Sequence, residues 1–240
     1  MLKTPGTIYV VATPIGNLED MTLRAKRVLR EVDFLIAEDT RVTRKLLHHL
    51  SLHKETVRYN ENRVTEAQAR KLIQPVLDGR SAALVTDAGT PNVSDPGWKI
   101  IKVAQDVSDG AIQIIPIPGA SAITALISVA HFPLDDFVFL GFPPSKKGKV
   151  TFFEKLKGEK RAIIMYEAPH RIKKTLALLG ENLPRREVLV GKELTKLYER
   201  TWRGRIKDVA HEFDLLPSDD VRGEFVLAIA PEKYSKNGKK

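Results

Sequence analysis

The segment VTDAGTPNVSDPG, at positions 85 to 97, joins an apolar strand to a carboxylate and a turn-rich loop. Positions 81 to 85 are predicted to form a buried strand. Four residues suited to a binding loop follow it directly: Asp87, Gly89, Thr90 and Pro91. Because open α/β sheets bind their ligands at the carboxyl ends of the strands, this pattern predicts a ligand-binding loop.

A helix start is the ordinary interpretation of the last part of this segment. Ser94 or Asp95 can serve as the N-cap, and Pro96 can take the first helical position. This interpretation accounts for positions 94 to 97 and leaves positions 87 to 91 unexplained. We therefore expect a ligand-binding loop followed by a helix.

Two further loops repeat the order of strand, turn and helix. In TPIGNLEDMTLRA, positions 13 to 25, the turn is shaped by Pro14 and Gly16, Asn17 can satisfy nearby backbone groups, and Asp20 or Thr22 can cap the helix. In IPGASAI, positions 117 to 123, small residues allow a ligand to approach the backbone closely. Three such loops in one half of the chain favour a common binding site.

Several familiar chemistries are not supported by the residues. No GxGxxG motif follows Val11 or Val85, and the segment 141 to 149 lacks the glycine spacing and the hydroxyl residue of a phosphate-binding P-loop. The histidines at positions 48, 49 and 53 have no accompanying HExxH motif, so no metal is predicted. Ser121 lies in PGAS, which is not the elbow of a serine nucleophile.

Composition places the chain among ordinary soluble proteins. Of its 240 residues, 42% are hydrophobic and 29% are charged, with no cysteine and no uncharged apolar run long enough to span a membrane. The first residues lack a signal-peptide core, so we expect neither secretion nor a membrane anchor. The absence of disulfides and thiolate metal sites fits a cytoplasmic protein.

A formal net charge of +9 biases the chain toward polyanions such as nucleic acid. The positive residues fall into three concentrations, at positions 146 to 161, 171 to 174 and 200 to 207. Solvated lysine-rich faces are the alternative interpretation, and the tail at positions 233 to 240 is predicted to be a basic, flexible end.

The order of elements predicts an α/β protein of two domains. In the first half, strands are predicted at 7–12, 34–37, 82–85 and 112–117, and the apolar spacing from Ala25 to Val32 and from Ala69 to Val76 is helical. A parallel sheet is therefore expected in an amino-terminal domain, residues 1–117.

The second half, residues 118–232, is predicted to contain a mixed sheet. A helix is expected at 120–129, strands at 137–140, 161–166, 186–191, 199–204 and 223–229, and a further helix whose Ile172, Leu176 and Leu179 share one face. The cleft between the two predicted domains is the expected place for a small ligand.

Eight segments together resemble the tetrapyrrole methylase superfamily of S-adenosylmethionine-dependent methyltransferases. The segments are VATPIGNLEDMTLRA at 11, AEDTR at 37, DAGTPNVSDPG at 87, PGASAITAL at 118, GFPPSKKGK at 141, YEAPHR at 166, KELTKLYE at 192 and RGEFVLAI at 222. The combination of TPIGNL, AEDTR, DAGTP and ELTK is the specific part of this resemblance, which extends over most of the chain.

The resemblance implies the fold and the cofactor. It implies a two-domain tetrapyrrole methylase-like fold with S-adenosylmethionine in the cleft. The implied cofactor-binding residues are Pro14, Gly16, Asn17, Asp87, Gly89, Thr90, Pro91, Gly119, Ser121, Ala122, Met165, Tyr166 and Ala168. Some members carry a further segment after the point corresponding to Pro231, and RNA contacts made by that segment are expected to be absent.

The resemblance also implies an activity, namely 2'-O-ribose methylation of a decoding-centre cytidine of 16S rRNA, cytidine 1402 in conventional numbering. Such a reaction needs a base or a cation near the ribose hydroxyl, and the candidates are Asp39, Arg41, Lys192 and Glu193, with Glu38 as a further possibility. Phosphate contacts are predicted for Lys146, Lys147, His170 and Arg171. The implied partner is 16S rRNA within the small ribosomal subunit, and the implied assembly is a homodimer.

Two other functions remain open at this point. Because a fold does not choose a substrate, a small-molecule tetrapyrrole methyltransferase of the precorrin type is the first alternative. A non-enzymatic RNA-binding assembly protein is the second, and it would take up no cofactor.

Overall fold

The computed structural model describes residues 4–60 and 64–236, except the side chains of Ser235 and Lys236. The chain divides into two compact units, Met1–Ser121 and Ala122–Lys240, whereas the sequence predicts a boundary after position 117. Half of the predicted tail, positions 237–240, lies outside the described residues, and positions 233–236 belong to a short helix. No helix in the described part of the chain has both the length and the apolar character needed to cross a bilayer.

The first unit is built on a parallel five-stranded sheet in the order β3-β2-β4-β1-β5. Its strands are β1 (Thr7–Val11), β2 (Phe34–Ala37), β3 (Glu55–Arg58), β4 (Ala82–Val85) and β5 (Gln113–Ile117). Its helices are α1 (Leu23–Glu31), α2 (Thr40–His49), α3 (Glu66–Leu77) and α4 (Trp98–Ser108). A single 3₁₀ turn, Leu18–Asp20, precedes α1.

Alternating side chains of the central strands bury both faces of this sheet. On one face Phe34, Ile36 and Leu84 pack with residues of α3 and α4. On the other face Leu35 and Val85 pack with residues of α1 and α2. This is the arrangement expected when helices cover both sides of a parallel sheet, and it places every β-to-α loop at the same edge.

The second unit contains a mixed five-stranded sheet in the order β6-β7-β10-β8-β9. Its strands are β6 (Phe137–Phe139), β7 (Ala162–Glu167), β8 (Glu187–Lys192), β9 (Arg200–Arg205) and β10 (Phe225–Ile229). Its helices are α5 (Ala122–Ser128), α6 (Lys149–Lys155), α7 (Ile172–Asn182), α8 (Ile206–Leu215) and α9 (Glu232–Lys236). Two 3₁₀ turns, Leu156–Gly158 and Ser218–Val221, complete the unit.

One face of the mixed sheet carries the larger core of this unit. Ile163 and Met165 of β7 pack there with residues of α7, including Ile172, Leu176 and Leu179, and with residues of α8. The predicted α/β class, with a parallel sheet followed by a mixed sheet, is confirmed.

The predicted start of α4 is wrong. The helix begins at Trp98, its N-cap is Gly97 at φ +152°, and no side chain caps it. Gly97 comes so close to Asn92 that a β-carbon there would lie 2.5 Å from the Asn92 amide oxygen. This close approach requires glycine at the cap, so neither Ser94 nor Asp95 caps the helix and Pro96 is not its first residue.

Candidate active site

Three loops meet at the carboxyl edge of the parallel sheet in the first unit. Thr13, directly after β1, exchanges two backbone hydrogen bonds with Gly89, at 2.9 and 3.1 Å. The Thr13 hydroxyl also donates to the Thr86 carbonyl at 3.2 Å, and the Thr90 hydroxyl donates to the Ala120 carbonyl at 3.1 Å. The loops after β1, β4 and β5 are thus joined directly to one another.

Glycine allows the chains of these loops to approach each other. Gly89 has φ +78°, and a β-carbon there would lie 3.3 Å from the Ile15 side chain. A β-carbon on Gly119 would lie 3.0 Å from that of Ala12. Pro91 is buried, whereas Gly16, Asp87 and Gly119 are exposed at the edge of the sheet.

The turn after β1 forms as its residue types predict. The Asn17 side chain accepts a hydrogen bond from the Glu19 N–H at 3.0 Å, and the Thr22 side chain caps α1 by accepting from the Ala25 N–H at 3.1 Å. Of the two capping residues that the sequence allowed, Thr22 is the one used. The cap fixes the helix start, so Pro14 and Gly16 lie in the turn between strand and helix.

A fourth loop, after β2, brings Asp39 beside Asp87. The Asp39 N–H donates to the Asp87 carboxylate at 3.1 Å, and the Asp39 carboxylate accepts from the Arg41 backbone and guanidinium. The hydrogen bond from the Arg41 guanidinium holds the pKa of Asp39 far below its usual range. Although Asp87 is exposed at the edge of the sheet, partial desolvation of its carboxylate raises its pKa, and the nearby Asp39 charge adds to this effect against the Asp39 N–H hydrogen bond. Asp39 is therefore a weak base, whereas Asp87 holds a proton more tightly.

The second unit holds the other predicted cofactor residues, and they differ in exposure. Met165 is fully buried in the core, so its backbone is the part that remains for a ligand. The Tyr166 ring is half-buried and packs against Phe139 and Phe142, with ring centroids 5.1 and 5.4 Å apart. Ala168 follows β7, and its N–H donates to the Glu167 carboxylate at 2.7 Å.

The ELTK segment, positions 193–196, follows β8, and its charged side chains are held by an ion pair and hydrogen bonds. The Glu193 carboxylate accepts from the Lys196 ammonium at 2.9 Å and from the Glu224 N–H at 2.8 Å. Burial favours a higher pKa for Glu193, but the Glu224 N–H and the Lys196 charge outweigh it and lower the pKa. The Lys192 ammonium donates to the Asp220 carbonyl at 2.6 Å. These contacts hold the loop in place and leave Glu193 a weak base.

The four predicted phosphate-binding residues lie in the second unit. Lys146, Lys147 and His170 are exposed. The Arg171 guanidinium instead forms an ion pair at 2.6 Å with the Glu167 carboxylate, and the Glu167 side chain is fully buried. The same guanidinium donates to the Pro143 carbonyl at 3.1 Å. Arg171 therefore connects the loop that carries Lys146 and Lys147 to the end of β7.

Sequence reasoning missed two residues that organise these segments. Thr13 joins the loops after β1 and β4, and the signal was the Thr-Pro pair directly after a strand. Glu167 is a charged residue at the end of an apolar strand, which is a position where a buried ion pair is required. Its Arg171 partner four residues later was the available signal.

Comparison with known proteins defines the class. The profile of the tetrapyrrole (corrin/porphyrin) methylases matches residues 7–210. The chain belongs to the tetrapyrrole methylase family and is an S-adenosylmethionine-dependent methyltransferase.

Two similar relatives are named ribosomal RNA small subunit methyltransferase I. The protein of Halalkalibacterium halodurans is 42% identical over 225 residues, and that of Bacillus subtilis is 45% identical over 226 residues. Each match covers 93% of this chain and 75% of the relative. A solved uroporphyrin-III C-methyltransferase from Thermus thermophilus, complexed with S-adenosylhomocysteine, has the same fold, with a TM-score of 0.59, 18% identity and coverage of 93% of this chain and 97% of that chain.

Proposed function

We propose that this protein methylates 16S rRNA, at the ribose 2'-hydroxyl of the decoding-centre cytidine, with S-adenosylmethionine as the methyl donor. The observation that carries the proposal is the meeting of three glycine-containing loops at one edge of the parallel sheet. The names of the relatives that are 42 and 45% identical support ribosomal RNA as the substrate. The net charge of +9 supports a polyanionic partner.

The cofactor is proposed to bind to the joined loops of the first unit. Gly16 in the loop after β1 and Gly119 in the loop after β5 are exposed, which suits close contact between their backbone and a ligand. In the loop after β4, the exposed Asp87 lies two residues before the buried Gly89. The residues in this role are Pro14, Gly16, Asn17, Asp87, Gly89, Thr90, Pro91, Gly119 and Ser121. From the second unit we propose Ala122, the Met165 backbone, the Tyr166 ring and Ala168.

The bound cofactor supplies an electrophilic methyl group, and the protein has to hold the ribose hydroxyl and stabilise its oxygen as the proton leaves. We propose that Arg41, whose side chain is 81% exposed, provides positive charge for that oxygen. Asp39 orients Arg41 through hydrogen bonds and, with its lowered pKa, does not take the proton itself. Lys192 and Glu193 are proposed to position the RNA strand, because their side chains are held by Asp220 and Lys196.

RNA phosphates are proposed to contact Lys146, Lys147 and His170, which are exposed in the second unit. Arg171 is proposed to act through the position of the Lys146 loop, because its guanidinium is occupied by Glu167 and the Pro143 carbonyl.

The substrate is proposed to be the assembled small subunit in the cytoplasm, and the protein is proposed to act as a homodimer. Native mass spectrometry measures the dimer directly, and a purely monomeric spectrum would contradict it.

The test is transfer of a tritiated methyl group from S-adenosylmethionine to small subunits isolated from cells that lack this methylation. We expect label in 16S rRNA, mapped to the ribose of one cytidine, and no label on a precorrin-type tetrapyrrole. Label on the tetrapyrrole alone would replace the proposal by a small-molecule methyltransferase. Absence of S-adenosylmethionine binding in calorimetry, together with absence of methyl transfer, would leave an RNA-binding assembly role.

The same assay tests the proposed role of Arg41. Arg41→Ala is expected to keep S-adenosylmethionine affinity and to lower the rate of methyl transfer about 100-fold, which is typical for loss of an electrostatic stabiliser. Arg44→Ala is the control, because Arg44 is also exposed on α2 and its guanidinium contacts only Thr40 among the hydrogen bonds found in the described chain. Equal losses in the two variants would remove Arg41 from the reaction.

The raised pKa of Asp87 predicts a pH dependence of cofactor binding. The pKa of Asp87 lies above the ordinary aspartate value of 3.8. As the pH falls through this pKa, the carboxylate is protonated and no longer attracts the sulfonium of the cofactor. We expect S-adenosylmethionine affinity to fall about fivefold over this range, as for one charge contact in water. Calorimetry of Asp87→Asn should give the low affinity at every pH.

Protein stability should change in the opposite direction. The folded state binds the Asp87 proton more tightly than the unfolded state, so the ionised carboxylate costs stability above pH 3.8 and this cost disappears as the pH falls. Asp87→Asn is therefore expected to be as stable as the wild type, or more stable, at neutral pH. If the affinity for S-adenosylmethionine changes with pH in the same way in the wild type and in Asp87→Asn, Asp87 does not contact the cofactor.

A further inference from the structure

Lys149 is a lysine buried inside the second unit. It is the first residue of α6, it is 9% exposed, and its ammonium lies 6.0 Å from the centroid of the Phe153 ring. Within the described part of the chain, the ammonium makes no hydrogen bond and no ion pair. Burial lowers the pKa of Lys149, and the charges of Lys174 and Arg171 add to this effect, against the attraction of Glu167. An ammonium in this position costs free energy unless an anion compensates it.

Among the described residues, Glu167 is the carboxylate whose charge attracts Lys149, and this carboxylate is already occupied. Glu167 accepts from the Arg171 guanidinium at 2.6 Å, from the Thr175 hydroxyl at 2.5 Å and from the Ala168 N–H at 2.7 Å. The Arg171 Nε is itself a buried donor without an acceptor in the described residues. Arg171 and Lys149 are therefore both attracted to one carboxylate, and donors exceed acceptors at this point of the fold.

The surroundings favour a polymer of phosphates over a single small anion. Lys174 is exposed in the first turn of α7, and Lys146 and Lys147 are exposed just before α6. Together with Lys149 they form a basic cluster at the first residues of α6 and α7. The successive phosphates of a nucleic acid backbone can contact several of these positive side chains at once, whereas a single free anion contacts only those next to it.

We propose that Lys149 and Lys174 bind a backbone phosphate of the RNA substrate, with Arg171 held in place beside them by Glu167. This inference rests on the proposed function and adds a phosphate site to it. The unfavourable burial of Lys149 is then the consequence of a binding site that is complete only when RNA is present. Residues of this kind are kept at a cost in stability because binding needs them.

The variant Lys149→Met tests this site, because methionine fills the same space without the charge. We expect affinity for undermethylated small subunits to fall about five- to tenfold, and the slope of log affinity against log salt to become shallower by about 0.7 to 0.9, as for one lost phosphate contact. The midpoint of thermal unfolding should stay the same or rise by about 2 to 4 °C. S-adenosylmethionine affinity should not change.

Two further variants make the result decisive. Lys174→Gln should also lower the salt slope, whereas Lys71→Met, which removes the same charge from an exposed position on α3, should not. A lower unfolding midpoint of Lys149→Met together with an unchanged salt slope would show a structural lysine and overturn the proposal. If wild-type protein methylates the subunits while Lys149→Met keeps its slope, only the phosphate site fails. If wild-type protein neither binds nor methylates them, the proposed function itself fails.

Discussion

Gly89→Ala is expected to lower S-adenosylmethionine affinity about 10- to 200-fold, the range that one added methyl group causes in a closely fitted site. The new β-carbon would lie 3.3 Å from the Ile15 side chain and would require an alanine at φ +78°. Because Gly89 exchanges both of its backbone hydrogen bonds with Thr13, any shift at position 89 also moves the loop after β1. Isothermal titration calorimetry with S-adenosylmethionine measures the loss.

The control for this variant is Gly110→Ala. Gly110 has nearly the same backbone conformation, φ +77°, but lies just beyond the end of α4, and a β-carbon there would meet nothing closer than the Gln105 side chain at 3.9 Å. Both variants should lose about 1 to 2 kcal/mol of unfolding free energy, since an L-residue pays this for a left-handed backbone. Only Gly89→Ala should lose cofactor affinity. Equal cofactor affinities in the two variants would remove the joined loops from the binding site.

Glu167→Gln is expected to destabilise the protein by about 3 to 5 kcal/mol, as is typical when one partner of a buried ion pair is removed. Glutamine keeps the shape, its one amide oxygen can accept from the Ala168 N–H, and its NH2 group can donate to the Thr175 hydroxyl. The change removes the negative charge, which leaves Arg171 and the nearby Lys149 without a buried counter-charge. Urea denaturation measures the difference in unfolding free energy.

Glu66→Gln is the matched control for the ion pair. Glu66 and Arg70 also lie four residues apart, at 2.9 Å, but both side chains are more than half exposed. Loss of such a surface pair changes the unfolding free energy by about 0.5 kcal/mol or less. The double variant Glu167→Gln with Arg171→Met should recover part of the loss, because it also removes an uncompensated charge. If Glu167→Gln costs no more than Glu66→Gln, the buried carboxylate does not hold this cluster together.

The pKa directions divide the predicted catalytic residues by role. Asp39 and Glu193 both have lowered pKa values because each carboxylate is held by a cation or by backbone N–H groups. Such groups orient their partners and are poor proton acceptors at neutral pH. These directions support our proposal that Arg41 acts by electrostatic stabilisation and that Asp39 and Glu193 are not the general base.

The strands and amphipathic helices with strong apolar patterns were predictable from the sequence. β2 was predicted with the bounds that the structure shows and β4 to within one residue, because each is a four-residue apolar run between polar residues. β3 and α8 were not predicted. β3 is an edge strand of the first sheet, only half-buried, so its sequence ETVR lacks the signal of a buried strand. α8 follows β9 without any intervening loop, so the sequence has no turn residue that would indicate the start of this helix.

Residue types and spacing alone determined the family resemblance, the α/β class and the three loops that follow strands β1, β4 and β5, because these are local patterns along the chain. Only the tertiary structure decided which side chains are already occupied. It joined Thr13 to Gly89 across the edge of the sheet and paired Arg171 with Glu167. It also buried Lys149 where its ammonium makes no hydrogen bond or ion pair with the described residues. The sequence shows which residues are charged, but only folding determines which opposite charges lie next to them. Whether a basic residue is free to bind RNA therefore depends on the tertiary structure.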